Sequence, residues 1–188
     1  MHTVAHVVWG VSKHLAFGYL VYSVVQHSLG RAPTGRTASV LLAGTVFPDV
    51  ADRVLMLAGV VGYGRTATHS LISACVITVA VVLLARRLDR VDVGYAFVVG
   101  YLSHAPVDTY GTLLTGSQPM DTAFLFWPVV VEYSLGVPTP ELPVSRQSVF
   151  AVVMAGAFCL WLYDGAPVAS DITRFSRSRL EARSESHR

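Results

Sequence analysis

Five long apolar stretches are the strongest constraint on the fold of this 188-residue chain. Each is close to the ~20 residues that an α-helix needs to cross a bilayer. Hydrophobic residues make up 53% of the sequence and charged residues 14%, which favours a membrane class. The sequence therefore predicts an all-α, polytopic transmembrane helix bundle of about five spans. The spans are predicted at residues 14–29, 38–60, 69–85, 93–114 and 147–163.

The charges between these stretches predict domain limits and orientation. Arginines follow the first, third and fifth stretches, and such clusters mark the cytoplasmic side of a membrane. We expect a membrane-embedded domain at 1–168, with the N-terminus outside, and a disordered cytoplasmic tail at 169–188. A short apolar run at 122–131 is interpreted as re-entrant or interfacial. The net charge of +2 is too small for a nucleic-acid-binding protein, so no nucleic-acid partner is expected.

Ionisable side chains interrupt the apolar stretches and indicate a buried site. Carboxylates and imidazoles are costly in apolar surroundings, and most of these have no basic partner nearby in the sequence. Asp49 and Asp52 are three residues apart, and His104 and Asp108 are four apart, so each pair shares one helix face. Such a set is typical of ligands to one or two divalent cations. It comprises His14, Asp49, Asp52, His69, His104 and Asp108.

Several of these residues also have an interpretation that needs no metal. His104 and Asp108 suit a hydrogen-bonded core pair. Asp49 suits the first turn of a helix, where its carboxylate would cap the backbone. Asp52 suits a plain ion pair with its neighbour Arg53.

The segment around His69 has two interpretations of its own. His69 lies where a loop becomes a helix, and a lone histidine there suits an interfacial residue. Arg65, with Gly62 and Gly64 allowing close backbone approach, suits an anionic group such as phosphate.

Five motifs follow one another in a recognisable order along about residues 14–128. They are His14-Leu15-Ala16-Phe17-Gly18-Tyr19, Phe47-Pro48-Asp49-Val50-Ala51-Asp52, Gly64-Arg65-Thr66-Ala67-Thr68-His69-Ser70, Gly100-Tyr101-Leu102-Ser103-His104 with Asp108, and Phe126-Trp127-Pro128. This order resembles the YdjM-like family of membrane-bound metal-dependent hydrolases. The family is similar in its motifs to the zinc-dependent phospholipase C and nuclease superfamily. The resemblance implies a helical fold, bound metals and phosphoester hydrolysis.

Two positions differ from the family pattern. The second aspartate of a Pro-Asp-x-Asp motif comes one residue later here, as Asp52, which implies a ligand, a general base or a residue that contacts a ligand. Gly64 stands where many members carry a histidine, so one implied ligand is missing.

The clustering and the resemblance together predict a membrane-bound metal-dependent hydrolase of a phosphoester such as a lipid headgroup. Asp52 and Arg65 are the predicted catalytic residues, with Arg65 as a clamp on phosphoryl charge. The metal is a divalent cation, with zinc expected first and manganese or magnesium as alternatives. Membrane lipid is the expected partner. The predicted metal ligands are His14, Asp49, His69, His104 and Asp108.

Two other interpretations stay open at this point. One is a non-enzymatic membrane protein, either a divalent-cation carrier or a helical scaffold whose polar residues join the helices. The other is a soluble helical domain with an apolar core.

Overall fold

Helices form the described part of the protein, which contains no strand. The computed structural model describes residues 4–62, 64–115, 119–129, 146–173 and 175–176. Within these ranges, a 3-10 helix, Pro119–Phe126, follows the fourth of five α-helices. The α-helices are α1 (Val4–Ser28), α2 (Gly35–Leu57), α3 (Leu71–Arg87), α4 (Val91–Thr115) and α5 (Arg146–Tyr163). Each predicted apolar stretch overlaps one of them, although α1 begins ten residues before its stretch, so the helical class is confirmed.

The predicted polytopic transmembrane bundle is wrong as a description of these helices. Within the described residues, no helix has both the length and the apolar content that a bilayer crossing requires. α3 has only 17 residues. α2 and α4 are longer, but each contains a proline and candidate site residues in its interior. The apolar stretches therefore located the helices, but they did not identify spans.

Two glycines set the spacing of α2 and α4. A Cβ atom on Gly100 would overlap the carbonyl oxygen of Leu41, and one on Gly44 would overlap that of Phe97. The two backbones therefore touch directly, which only residues without a side chain permit. Each glycine precedes a candidate site residue by about one helical turn, so this contact also positions the site.

α1 packs on both of these helices, whereas α5 packs mainly on α1. A Cβ atom on Gly18 of α1 would overlap the methyl group of Thr45 in α2. α2 begins with a capping box between Thr34 and Thr37, and Ser70 caps the start of α3. The buried apolar core lies between α1, α2 and α4 and consists of Tyr19, Tyr22, Ala38, Leu41 and Ala96.

A buried carboxylate just after α5 joins this helix to α1. Asp164 accepts hydrogen bonds from the hydroxyls of Tyr19 at 2.6 Å and Ser23 at 2.7 Å. His27 Nε2 lies 2.6 Å from the other carboxylate oxygen. The Asp164 side chain is fully buried. We call these four residues the Asp164 cluster.

The predicted tail begins with a short helical segment at residues 169–173. Nearly all of the remaining tail, and the end of the apolar run 122–131, lie outside the described residues.

Candidate metal centre

The ionisable residues singled out in the sequence converge on one place between the helices. α1 contributes His14, α2 contributes Asp49 and Asp52, α4 contributes His104 and Asp108, and His69 comes from the segment before α3. The side chain of Asp49 is 44% exposed, whereas those of His69 and Asp108 are almost fully buried. The centre therefore opens to the surface beside Asp49. The chemical roles of these residues stay predictions.

His69 and His104 face each other through their Nε2 atoms, which are 3.1 Å apart. The Nδ1–H of His104 donates to the Thr45 carbonyl oxygen at 2.6 Å, and the Nδ1–H of His69 donates to Asp52 Oδ2 at 2.8 Å. Because both Nδ1 atoms are donors, Nε2 is the remaining coordinating atom of each ring. Two nitrogens that share one cation at about 2.1 Å each lie about 3.0–3.4 Å apart. The observed separation fits a shared cation.

Asp49 and Asp108 bring carboxylate oxygens to the same two nitrogens. Asp49 Oδ1 lies 3.5 Å from His69 Nε2 and 3.7 Å from His104 Nε2. Asp108 Oδ2 lies 3.5 Å and 3.3 Å from these atoms. Asp108 Oδ2 is buried and has no hydrogen-bond partner among the described residues, although buried oxygens are normally paired. The chemistry of this donor set therefore fits a cation, and we call Asp49, His69, His104 and Asp108 the four-residue centre.

Asp52 lies behind His69 and outside the four-residue centre. Its carboxylate accepts hydrogen bonds from the backbone N–H groups of Thr66 at 2.6 Å and Thr68 at 2.8 Å. The Thr68 hydroxyl donates to the same carboxylate at 2.8 Å. The alternative ion pair with Arg53 does not form among the described side chains. Asp52 thus orients the imidazole of His69, as carboxylates beside metal-binding histidines commonly do.

The helix-start alternative for Asp49 is also wrong. Pro48 and Asp49 lie inside α2, well after its Thr34 cap. Pro48 has no N–H to donate to the carbonyl oxygen of Gly44, four residues earlier. The carbonyl oxygen of the next residue, Thr45, is the one that accepts from His104. Thr45 was not predicted as a site residue. The nearest sequence signal is the proline three residues later.

His14 and Arg65 contact the other oxygen of Asp108. Arg65 Nη2 donates to Asp108 Oδ1 at 3.0 Å, and His14 Nε2 lies 3.5 Å from the same oxygen. The His14 and His104 rings are stacked, with centroids 3.9 Å apart and planes 8° from parallel. Imidazole lone pairs lie in the ring plane, so two stacked rings do not aim at one ion. A second trio of ligand-type residues, His14, His104 and Asp108, nevertheless has ligand atoms within 4.8 Å of one another.

Burial and charge act in opposite directions on the ionisable groups. Burial alone would lower the pKa of His69, but the carboxylates of Asp49 and Asp52 outweigh it and raise this pKa to about 9. Burial would raise the pKa of Asp52, but its hydrogen bonds from His69, Thr66 and Thr68 lower it to about 2. Both effects favour an ionised Asp52 beside a protonated His69.

The pKa values of Asp108 and His14 also depend on burial and on neighbouring charges. Burial would raise the pKa of Asp108, but the neighbouring His104 and Arg65 lower it to about 2. For His14, burial and the nearby His104 lower the pKa to about 4, so this ring is neutral at pH 7. A bound cation would displace the proton of His69, and the three carboxylates and one guanidinium would then leave two negative charges at the centre. A divalent cation would neutralise them.

Helices form the described part of the protein, and they enclose a buried histidine–aspartate centre whose side chains are of the types that bind cations. The family model described as YdjM inner membrane protein matches residues 10–170, and the chain belongs to this family. The resemblance seen in the motifs is thereby confirmed. The family's description supports the predicted membrane location, whereas the predicted multi-pass arrangement and orientation have no support in the described helices. No curated protein and no solved structure matches the chain.

Proposed function

We propose that the protein is a metal-dependent hydrolase of phosphoesters, with one divalent cation held by the four-residue centre. The observation that carries the proposal is the pair of Nε2 atoms 3.1 Å apart, each on a ring whose Nδ1–H is already donated. Two carboxylate oxygens approach the same pair within 3.7 Å. Mixed imidazole and carboxylate ligands favour zinc over magnesium, which prefers oxygen ligands alone.

The protein's own residues have separable roles in this proposal. A bound divalent cation supplies Lewis acidity, which polarises a phosphoryl oxygen and makes water more acidic. Asp52 keeps His69 in the tautomer with a free Nε2. Arg65 is half exposed and lies against Asp108, so its guanidinium is in reach of a phosphoryl group at the open side of the centre.

A hydrogen-bonded scaffold without metal is the competing function. The raised pKa of His69 favours it, because a protonated His69 would donate its Nε2–H to His104 Nε2. Two observations support the metal instead. Among the described residues, Asp108 Oδ2 and His14 Nδ1 are buried without a hydrogen-bond partner. A network that served only to join helices would be expected to satisfy its buried polar atoms.

Metal analysis of the purified protein tests the proposal. We expect one zinc ion per chain in the wild type, loss of the ion in His104→Ala and Asp49→Ala, and retention in the control Asp89→Ala, whose side chain is exposed. The wild type and Asp89→Ala should also have a phosphodiesterase activity that a chelator abolishes and zinc restores, and the two ligand variants should lack it. Two ions per chain would contradict the assignment of a single cation to the four-residue centre. No bound metal together with no chelator-sensitive activity would overturn the proposal.

A further inference from the structure

An apolar groove begins at the two histidines of the four-residue centre. It has a volume of about 510 Å³ and runs between α3, α4 and the 3-10 helix. His69 and His104 line one part of it, and the remainder is lined mainly by side chains such as Leu71, Ala74, Leu102 and Leu125. Pockets of this size hold small organic ligands.

We propose that this groove holds a hydrocarbon chain of the substrate, so that the hydrolysed ester belongs to an amphiphile. The inference rests on the proposed function, because the scissile phosphoester would lie at the four-residue centre. It adds a binding site for the part of the substrate that does not react.

The polar groups that line the groove are already used within the protein. The Tyr101 hydroxyl donates to the Thr68 carbonyl oxygen at 2.7 Å, and the Thr109 hydroxyl donates to the Ala105 carbonyl oxygen at 2.9 Å. The Thr68 hydroxyl lies 2.8 Å from Asp52. Both lining histidines use Nδ1 within the protein and turn Nε2 toward the centre. The groove therefore offers contact area to a ligand but few hydrogen bonds, which suits a hydrocarbon and not a sugar or a nucleoside.

The rim of the groove supports the same occupant. Leu71 is 49% exposed and Leu102 is 45% exposed. A hydrocarbon chain lying between them would remove this apolar surface from water, at roughly 0.8 kcal/mol for each buried methylene group. The centre would then receive a substrate whose position is set by its chain.

The binding of alkylphosphonates to the zinc-loaded full-length protein tests the inference by calorimetry, independently of hydrolysis. Butylphosphonate and hexylphosphonate share one anionic head and differ by two methylene groups. We expect hexylphosphonate to bind about tenfold more tightly if both groups are buried. Equal affinities, or no binding of either compound, would overturn the groove as a chain site.

Paired substitutions locate the effect. Ala74→Leu fills the groove from α3 at a residue that is not a proposed ligand, and should reduce the hexyl-to-butyl affinity ratio to about two or less. Ala16→Leu is the matched control, because Ala16 lines a separate apolar cavity of about 510 Å³ between α1, α2 and α5. It should keep the wild-type ratio. A ratio that falls equally in both variants would contradict the assignment to this groove.

Failure of this inference is distinguishable from failure of the proposed function. Chelator-sensitive hydrolysis of a short-chain phosphodiester, with equal affinities for butylphosphonate and hexylphosphonate, would support the hydrolase and contradict the groove as a chain-binding site. Tighter binding of hexylphosphonate without any chelator-sensitive hydrolysis would support the groove as a chain-binding site and contradict the hydrolase.

Discussion

The hydrogen bond between His69 and Asp52 determines which nitrogen of the ring is available to a ligand. Asp52 is itself held by the backbone of Thr66 and Thr68, so the imidazole is fixed by a network and not by a single contact. Partners of this kind orient metal-binding histidines and raise their basicity.

Replacing Asp52 by Asn should therefore weaken zinc binding without removing a ligand. We expect the zinc dissociation constant of Asp52→Asn to rise by about 10–100-fold, measured by competition with a chromogenic chelator. Asp89→Asn, a substitution at an exposed carboxylate, should leave the constant unchanged. An unchanged constant in Asp52→Asn, in a protein that melts at the wild-type temperature, would contradict the positioning role.

Substitution of Arg65 tests the proposed recognition of phosphate. Its guanidinium lies 3.0 Å from Asp108 Oδ1 and is half exposed. We expect Arg65→Ala to keep its zinc and to lose about 100-fold in kcat/KM on a phosphodiester, the scale of removing one stabilising donor. Arg53→Ala removes an exposed guanidinium one helical turn after Asp49 and should lose less. If Arg65→Ala lost zinc and activity together, Arg65 would position Asp108 and the proposed contact with phosphate would be contradicted.

Helix packing, and not helix formation, brings the ligands together. The direct backbone contact of α2 and α4 through Gly44 and Gly100 lies one turn from Asp49 and His104. A ligand set drawn from different helices tolerates little separation, because displacement by about 1 Å is enough to spoil a site.

A methyl group at Gly100 should separate these helices. We expect Gly100→Ala to lower the free energy of unfolding by about 1–3 kcal/mol and to weaken zinc binding in the same variant. Gly10→Ala is the matched control, because a Cβ atom there meets nothing within 4 Å. It should raise the stability slightly, by about 0.5–1 kcal/mol, since alanine favours a helix. Denaturant unfolding measures both changes, and equal behaviour of the two variants would contradict this account of the contact.

At the scale of the whole molecule, the Asp164 cluster is a second group of buried polar contacts in addition to the four-residue centre. Asp164 accepts from Tyr19 and Ser23 and pairs with His27, and it joins the end of α5 to α1. None of these residues belongs to the four-residue centre, so the cluster should affect stability and not metal binding.

Substitution at Asp164 should separate these two properties. Asp164→Asn keeps one acceptor oxygen but turns an amide N–H group toward donors, so we expect a loss of about 2–4 kcal/mol in stability with zinc affinity unchanged. Asp89→Asn should change stability by less than about 0.5 kcal/mol. Calorimetric unfolding with and without zinc measures the difference. A large loss of zinc affinity in Asp164→Asn would mean that the cluster and the centre are coupled.

Much of the helix pattern and of the site composition was predictable. The apolar stretches located all five α-helices, and the spacings of Asp49 with Asp52 and of His104 with Asp108 placed these residues on common helix faces. Three features were not predictable from local pattern. They are the failure of the helices to qualify as spans, the position of Asp52 behind His69, and the stacking of His14 on His104.

The sequence by itself determined that this protein is helical, where each helix lies, and which side chains were available for a cation. These properties follow from hydropathy, periodicity and residue chemistry, which are readable within one segment. The tertiary structure alone decided which two carboxylates face the two Nε2 atoms and which third one orients a ring from behind. Such choices depend on the spacing and rotation of helices against one another, and they are set by contacts between residues far apart in the chain, such as Gly100 with Leu41.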